Sequence, residues 1–232
     1  MIDGCRFSVR SPVIPTKLKS RFLFNQYEPS ERLALRRFLD PSLPVIEFGG
    51  SVGVVACLTN KLLENPRDHV VVEANPDLVP LLQSNRDRNG CQFTVVNKAI
   101  AYGSSHVEFF QNQDFLSSSI QSAAEQKVSV PAITLRDVVN QFGFDRFTLI
   151  CDIEGGEVEL VEHDGDIFRT QVKTLIIEVH EAVVGTGPIR SMLQKLQEYG
   201  FEALYKDWDT YALENRTGPT ESQFVHQVTE QL

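Results

Sequence analysis

Val45-Ile46-Glu47-Phe48-Gly49-Gly50-Ser51-Val52-Gly53 is the stretch on which the reading of this chain turns. Val45–Phe48 is a short apolar run, long enough for a buried strand and too short for a helix. Two glycines break it. Val52–Leu63 then places Val55, Leu58 and Leu62 at helical spacing. Strand, glycine turn and helix in that order open a βαβ unit. The pattern continues outward. His69–Glu73 reads as a second strand. Asn75 can cap a helix with Pro76 at its first position, Leu78, Leu81 and Leu82 on its face, and Asn89-Gly90 as its stop. Phe93–Val96 reads as a third strand.

Upstream, Ser30–Leu39 reads as a helix, entered at Pro29 and Ser30 and followed by the turn Asp40-Pro41-Ser42-Leu43-Pro44. Downstream, Val107–Phe110 and Val128–Val130 form a candidate strand pair across a polar loop, Gln111 to Gln126. A helix is expected at Leu135–Phe142, strands at Phe147–Asp152 and Val172–His180, and a helix at Ile189–Tyr199 ended by Gly200. Phe201–Tyr205 and Thr210–Leu213 look like an antiparallel hairpin. Continuous apolar strands alternating with helices imply a parallel sheet covered on both faces. The expected fold is therefore α/β: a doubly wound, mostly parallel seven-stranded sheet with a C-terminal antiparallel hairpin. The reading divides the chain into an irregular arm (1–29), one domain (30–215) and a tail (216–232).

At 232 residues the chain can bury one α/β core. No apolar run approaches the roughly 18 to 20 residues of a membrane span, and the start lacks the regions of a signal peptide. Cys5, Cys57, Cys91 and Cys151 are far apart and form no C-x-x-C pair. They read as buried free thiols of a reducing compartment, so a cytoplasmic location is expected. The net charge of −9 argues against nucleic acid as a partner. Residues 1–40 hold eight Lys/Arg against four acids, so the excess acid lies in the remainder. That N-terminal segment reads as a solvated arm; the other reading faces it to an anionic substrate or to a second copy in a homodimer.

The glycine turn lies where a doubly wound sheet binds ligands, at the carboxyl ends of its strands. Gly49, Gly50 and Gly53 do not fit the dinucleotide spacing G-x-G-x-x-G. Glu47 at the mouth of the first strand would repel a pyrophosphate and suit a cation. Glu73, ending the second strand before Ala74, can accept both hydroxyls of a nucleoside ribose, or can simply favour the next helix N-terminus. The third strand leads to Ala99, near an adenine edge. Glu47 and Glu73 together favour S-adenosyl-L-methionine (SAM), which carries a sulfonium and no phosphate.

The order of the motifs resembles the FkbM-type methyltransferase family, class I. The matching residues are Tyr27-Glu28-Pro29, Val45 to Gly53, Val72-Glu73-Ala74-Asn75-Pro76, Asn97-Lys98-Ala99, Thr134-Leu135-Arg136-Asp137, Cys151-Asp152-Ile153-Glu154-Gly155-Gly156-Glu157 and Ile176-Ile177-Glu178-Val179-His180. The resemblance spans roughly residues 26–205. It implies a Rossmann-like SAM-binding fold, with the cofactor against the glycine loop (Glu47, Gly49, Gly50, Ser51, Gly53) and Glu73-Ala74. It also implies O-methylation of small hydroxylated molecules such as sugars and polyketides. The family usually has Asp where Glu47 stands and Ala-Asn where Gly50-Ser51 stands.

Asp152 and Glu154 are two apart at one strand end, and Glu178 and His180 two apart at another. Strand alternation puts each pair on one side. If the strands are neighbours, four ionisable groups converge. A hydroxyl acceptor must lose its proton, and His180 is the first candidate base, Asp152 the second, with Glu154 beside them. Asp152 can instead contact the cofactor. The bland readings are a turn that caps a helix and a structural histidine. Carboxylates with one histidine can also hold a divalent cation such as Mg²⁺ or Mn²⁺, although no ligand spacing fixes one. The serines of Asp114–Ser119, and Tyr27 with Glu28, are further candidates for the pocket wall. Other readings are a methyltransferase acting on protein, a non-catalytic SAM-fold interaction module and, more weakly, an NAD-linked enzyme.

Overall fold

A computed structural model describes residues 1–8, 19, 21, 22, 27–110 and 127–217. Its strands are β1 (Val45–Phe48), β2 (His69–Val72), β3 (Thr94–Val96), β4 (Ala99–Ile100), β5 (His106–Phe110), β6 (Lys127–Ile133), β7 (Phe147–Cys151), β8 (Val172–Glu178), β9 (Phe201–Asp207) and β10 (Thr210–Asn215). Its helices are α1 (Pro29–Phe38), α2 (Val54–Leu62), α3 (Val79–Arg88), α4 (Leu135–Phe142), α5 (Glu157–His163), α6 (Gly165–Thr170), α7 (Glu181–Val184) and α8 (Thr186–Glu198).

Seven strands form one sheet in the order β3-β2-β1-β7-β8-β10-β9. β1 runs parallel to β2 and β7, and β7 parallel to β8. β10 is antiparallel to both β8 and β9, which closes the sheet with the expected hairpin. Alternation explains the two-sided burial. Ile46, Phe48, Leu149, Cys151, Leu175 and Ile177 join the core beneath α4, α5 and α8. Their neighbours Val45, Ile150 and Ile176 join a second core with Ala34 and Leu35 of α1 and Val55 and Leu58 of α2. A sheet buried on both faces needs apolar residues at successive positions, which is why β1, β2, β7 and β8 read as unbroken runs.

The chain steps outward from β1 to β2 and β3, then resumes on the other side of β1 with β7. The crevice at the carboxyl ends of β1 and β7 is thus the switch point of the sheet. The candidate pair is also found: β5 and β6 are antiparallel, and β4 adds to β6 to make a separate three-stranded sheet. The loop Gln111 to Gln126, with Asp114–Ser119, lies outside the described residues.

Three local differences have physical causes. α3 starts at Val79 rather than Pro76, because the Asn75 side chain accepts the Asp77 N–H (3.0 Å) and closes a turn of its own. Pro80 then sits in the first helical turn, where a missing N–H costs nothing. α5 and α6 escape the periodicity reading because each is short and Asp164 separates them. The first residues are docked rather than solvated. Ile2 and Cys5 are buried and exchange backbone hydrogen bonds, and Asp3 pairs with Arg32 (2.7 Å) and Arg36 (3.0 Å) of α1. All four cysteines are buried free thiols, as expected. Among the described residues no helix is long and apolar enough to cross a membrane.

Candidate active site

The turn after β1 and the end of β7 are pressed together. The Asp152 N–H donates to the Phe48 carbonyl (3.0 Å), and a Cβ on Gly49 would stand 1.8 Å from the Asp152 carbonyl oxygen. With φ at +89°, Gly49 also has a backbone that side chains disfavour. Gly50 packs on Val71 and Leu82, and Gly53 turns into α2 against Leu82. Four of the turn's N–H groups are already used. Those of Gly49 and Gly50 donate to the Val72 carbonyl (2.9 and 3.3 Å), that of Gly53 to the Gly50 carbonyl (2.8 Å) and that of Ser51 to Glu73 Oε2 (2.6 Å). A phosphate-binding turn keeps such donors for its ligand. This one suits a ligand without phosphate.

Glu73 clamps the turn from β2. Its Oε1 accepts the Asn75 N–H (2.7 Å) while Oε2 holds Ser51, and the carboxylate keeps acceptor capacity for a ligand hydroxyl. Burial raises its pKa, and the backbone donors pull it back. Asn97 Nδ2 donates to the Glu73 carbonyl (2.8 Å) and the Ala74 carbonyl (3.2 Å), fixing the ends of β2 and β3 together. Tyr27, from the chain leading into α1, lays its hydroxyl 3.0 Å from Ser51 Oγ.

Two expected residues are buried. Ala99 is buried in β4 opposite Ala132. Glu47 is only 1% exposed, with Oε2 3.3 Å from Nε2 of the buried His69. Burial raises the Glu47 carboxyl well above its ordinary value and pushes His69 down to about 3. Burial thus favours the neutral form of both groups, and the Glu47 side chain lies buried against His69.

The ends of β7 and β8, which are neighbours, bring the expected ionisable groups together. His180 Nε2 lies 3.4 Å from Glu154 Oε2, 3.5 Å from Asp152 Oδ1 and 3.9 Å from Glu178 Oε1. Its Nδ1 is 2.9 Å from Oε1 of the fully buried Glu157, which also accepts the N–H groups of Ile153 and Gly155 (3.2 Å each). Glu157 thus shapes the turn and holds the imidazole ring at once. Burial pulls the His180 pKa down, but the Glu157 hydrogen bond and the charges of Glu157, Asp152 and Glu154 outweigh it, and the ring is pushed up to about 9. Asp152 is pushed up to about 8 by burial and by Glu178 and Glu154, against the pull of His180. Glu154, with φ at +54°, and Glu178 are raised too, first by burial.

Two further acids complete the wall from α1. Glu31 is 4% exposed, and its carboxylate stands within 4.8 Å of those of Asp152 and Glu178. Burial raises Glu28 and Glu31 well above the ordinary range, and the neighbouring acids add to it. Asp152 Oδ1 and Glu31 Oε2 have no hydrogen-bond partner among the described residues. Buried unpaired carboxylate oxygens are costly, and a cationic ligand is what relieves them. The sulfonium and ammonium of SAM fit that demand. The ligand atoms of Asp152, Glu154 and His180 also lie within 4.8 Å of one another, a spacing compatible with a metal ion and common in acidic clusters that hold none.

Sequence reading placed Asp152, Glu154, Glu178 and His180 together and missed Glu31 and the orienting role of Glu157. Glu31 lies in the first turn of α1, where a helix-favouring acid gave no sign of a site role. Glu157 carried no signal beyond its place in the Asp152-to-Glu157 motif.

Residues 47–203 match the profile of the Methyltransferase FkbM domain. No curated protein matches the chain. Among solved structures the chain is similar in fold to the O-methyltransferase from Bacillus cereus in complex with S-adenosylhomocysteine (SAH), at 13% identity, covering 84% of this chain and 86% of that one, TM-score 0.49. It is similar also to precorrin-6y C5,15-methyltransferase from Geobacter metallireducens, at 12% identity, covering 91% and 92%, TM-score 0.47. A third is a putative O-methyltransferase from Klebsiella pneumoniae, at 11% identity, covering 81% and 79%, TM-score 0.48.

Proposed function

The chain belongs to the FkbM methyltransferase family, and from that premise we propose that it transfers the methyl group of SAM to a hydroxyl of a small molecule. The observation that carries the reading is Asp152: a side chain whose buried Oδ1 accepts no hydrogen bond among the described residues and stands 3.5 Å from His180 Nε2, beside the glycine turn and close to Glu31 and Glu178. When bound, SAM supplies a methyl group on cationic sulfur, already activated for in-line displacement. We assign its nucleoside end to Glu73 and the turn at Gly49–Gly53, and its cationic end to Asp152, Glu31 and Glu178.

Positioning supplies much of the rate of such a displacement, and the acceptor hydroxyl must still lose a proton. We assign that proton to Asp152. Its raised pKa makes it a stronger base than an ordinary carboxylate, and a cation beside it returns it to the ionised form near neutral pH. Glu157 and the neighbouring acids push the His180 ring up to about 9, which disfavours it as the proton acceptor at pH 7. The role of His180 is to hold the charge of Asp152 while Glu157 fixes its ring. This reverses the order of bases read from the sequence. Glu154, 44% exposed in its side chain, is assigned to the acceptor side of the cluster.

Calorimetric titration with SAM and SAH comes first, then SAH release over hydroxylated acceptors. Micromolar SAM binding with turnover on a small hydroxylated molecule supports the reading. Binding without turnover on small molecules, but with turnover on protein, moves the assignment to a protein methyltransferase. No binding by the folded protein leaves a non-catalytic module. Activity is expected to survive exhaustive chelation; its loss, with rescue by Mg²⁺ or Mn²⁺, would instead place a divalent cation on Asp152, Glu154 and His180.

A further inference from the structure

The chain has a single tryptophan, and Trp208 is 86% exposed. It sits in the two-residue loop between β9 and β10, bounded by the pair Asp207 and Thr210. Its φ is +50°, a left-handed conformation that bulky side chains avoid. Glycine or asparagine would close such a loop without strain. Leaving an indole in water also forgoes the gain of burying it. Strain and exposure together at one residue, with no packing in return among the described residues, point to a ligand.

The loop is held at the pocket rim from two sides. Thr210 pairs with Glu178, and the Val179 N–H donates to the Asp209 carbonyl (2.9 Å), so the tip lies against the strand end that carries Glu178 and His180. Ser30 Oγ donates to Asp207 Oδ2 (2.7 Å), tying the tip to the start of α1, the helix that carries Glu31. α7 leaves the same strand end and exposes Val183, 63% accessible, over the turn at Gly155. Trp208 and Val183 are thus exposed apolar side chains on two segments that flank the acidic cluster. The floor is Asp152, Glu154, Glu178 and Glu31.

We propose that Trp208 is the platform for the methyl acceptor, an uncharged or cationic hydroxylated ring that stacks on the indole while one hydroxyl reaches Asp152. This rests on the methyltransferase reading above. An indole face accepts the apolar side of a ring, and the acidic floor accepts its hydroxyl or ammonium donors and repels an anionic ring. A pyranose and a phenol share this chemistry, and the experiment separates them.

The test uses the purified full chain saturated with SAH, with Trp208 as its own reporter. Acrylamide quenching of the indole is measured with methyl glucoside, glucosamine, resorcinol and glucuronate. Protection by one of the first three and not by glucuronate is expected, and which ring protects identifies the source. Trp208→Ala is expected to raise KM for that ring about 10-fold with kcat within about twofold, Trp208→Phe to restore most of the loss, and SAH affinity to stay unchanged. Normal SAH binding with an indole equally quenched in every mixture overturns the platform and leaves the methyltransferase reading standing. So does an unchanged KM in Trp208→Ala. Failure of SAH to bind removes both.

Discussion

Replacing Asp152 by Asn should make the protein inactive and more stable. In the unfolded chain this carboxyl ionises near 3.8; in the folded chain burial, Glu178, Glu154 and Glu157 push that up to about 8, and only His180 opposes them. Between those values the folded chain keeps a proton that the unfolded chain has lost, so stability falls as pH rises. Asn keeps the shape and ionises in neither state. The gap between variant and wild type therefore opens above about pH 4 and is complete above about pH 8. Three like charges against one opposite charge, on a side chain 24% exposed, give a penalty of about 1–3 kcal/mol once relaxation is allowed for. For a chain of this size that is a Tm rise of about 2–12 °C. Thermal melts of both proteins, free of cofactor, at pH 5, 7 and 9 read it directly. A variant no more stable than wild type at pH 9, or a gap equal at pH 5 and pH 9, refutes the reasoning.

Glu73→Gln replaces an oxygen that accepts the Ser51 or Asn75 N–H with an amide that cannot; SAM affinity by calorimetry should fall about 10- to 100-fold, with a stability loss of about 1–3 kcal/mol. Gly49→Ala drives a methyl into the Asp152 carbonyl and should cost more than about 3 kcal/mol, seen as loss of soluble protein or of the cooperative melt. The His180 ring should titrate near 9 by NMR and markedly lower in Glu157→Gln; because that pKa is raised on folding, its stabilising contribution is complete below about 6.5 and fades as pH passes about 9.

The sheet was legible because its strands are short and buried on both faces, so β1, β2 and β7 stand out as apolar runs between glycines and helical spacing. The start of α3 was not, because Asn75 and Pro76 form a cap signature that the Asx turn uses differently. In the site, the pairs Asp152/Glu154 and Glu178/His180 follow from strand alternation and the adjacency of β7 and β8. Protonation is not legible in that way. Glu47 looks like a charged group at a strand mouth until His69 is seen against it, and His180 looks like a free base until Glu157 is seen beneath it. Such contacts join residues some twenty apart or more in sequence, and no local pattern encodes them.

On the assignment to Asp152, each turnover leaves the acidic pocket one proton richer. A cation beside a carboxylate becomes a neutral thioether beside a carboxylic acid, so net charge is conserved through the chemical step and no charge is created in a buried space. The acid then persists after product leaves, because without the sulfonium, and with His180 still beside it, Asp152 holds its proton up to about pH 8. Loading the next SAM must expel that proton to solvent. Cofactor exchange is therefore also proton exchange, and the pH of the surroundings acts on this enzyme through its affinity for SAM rather than through the displacement itself.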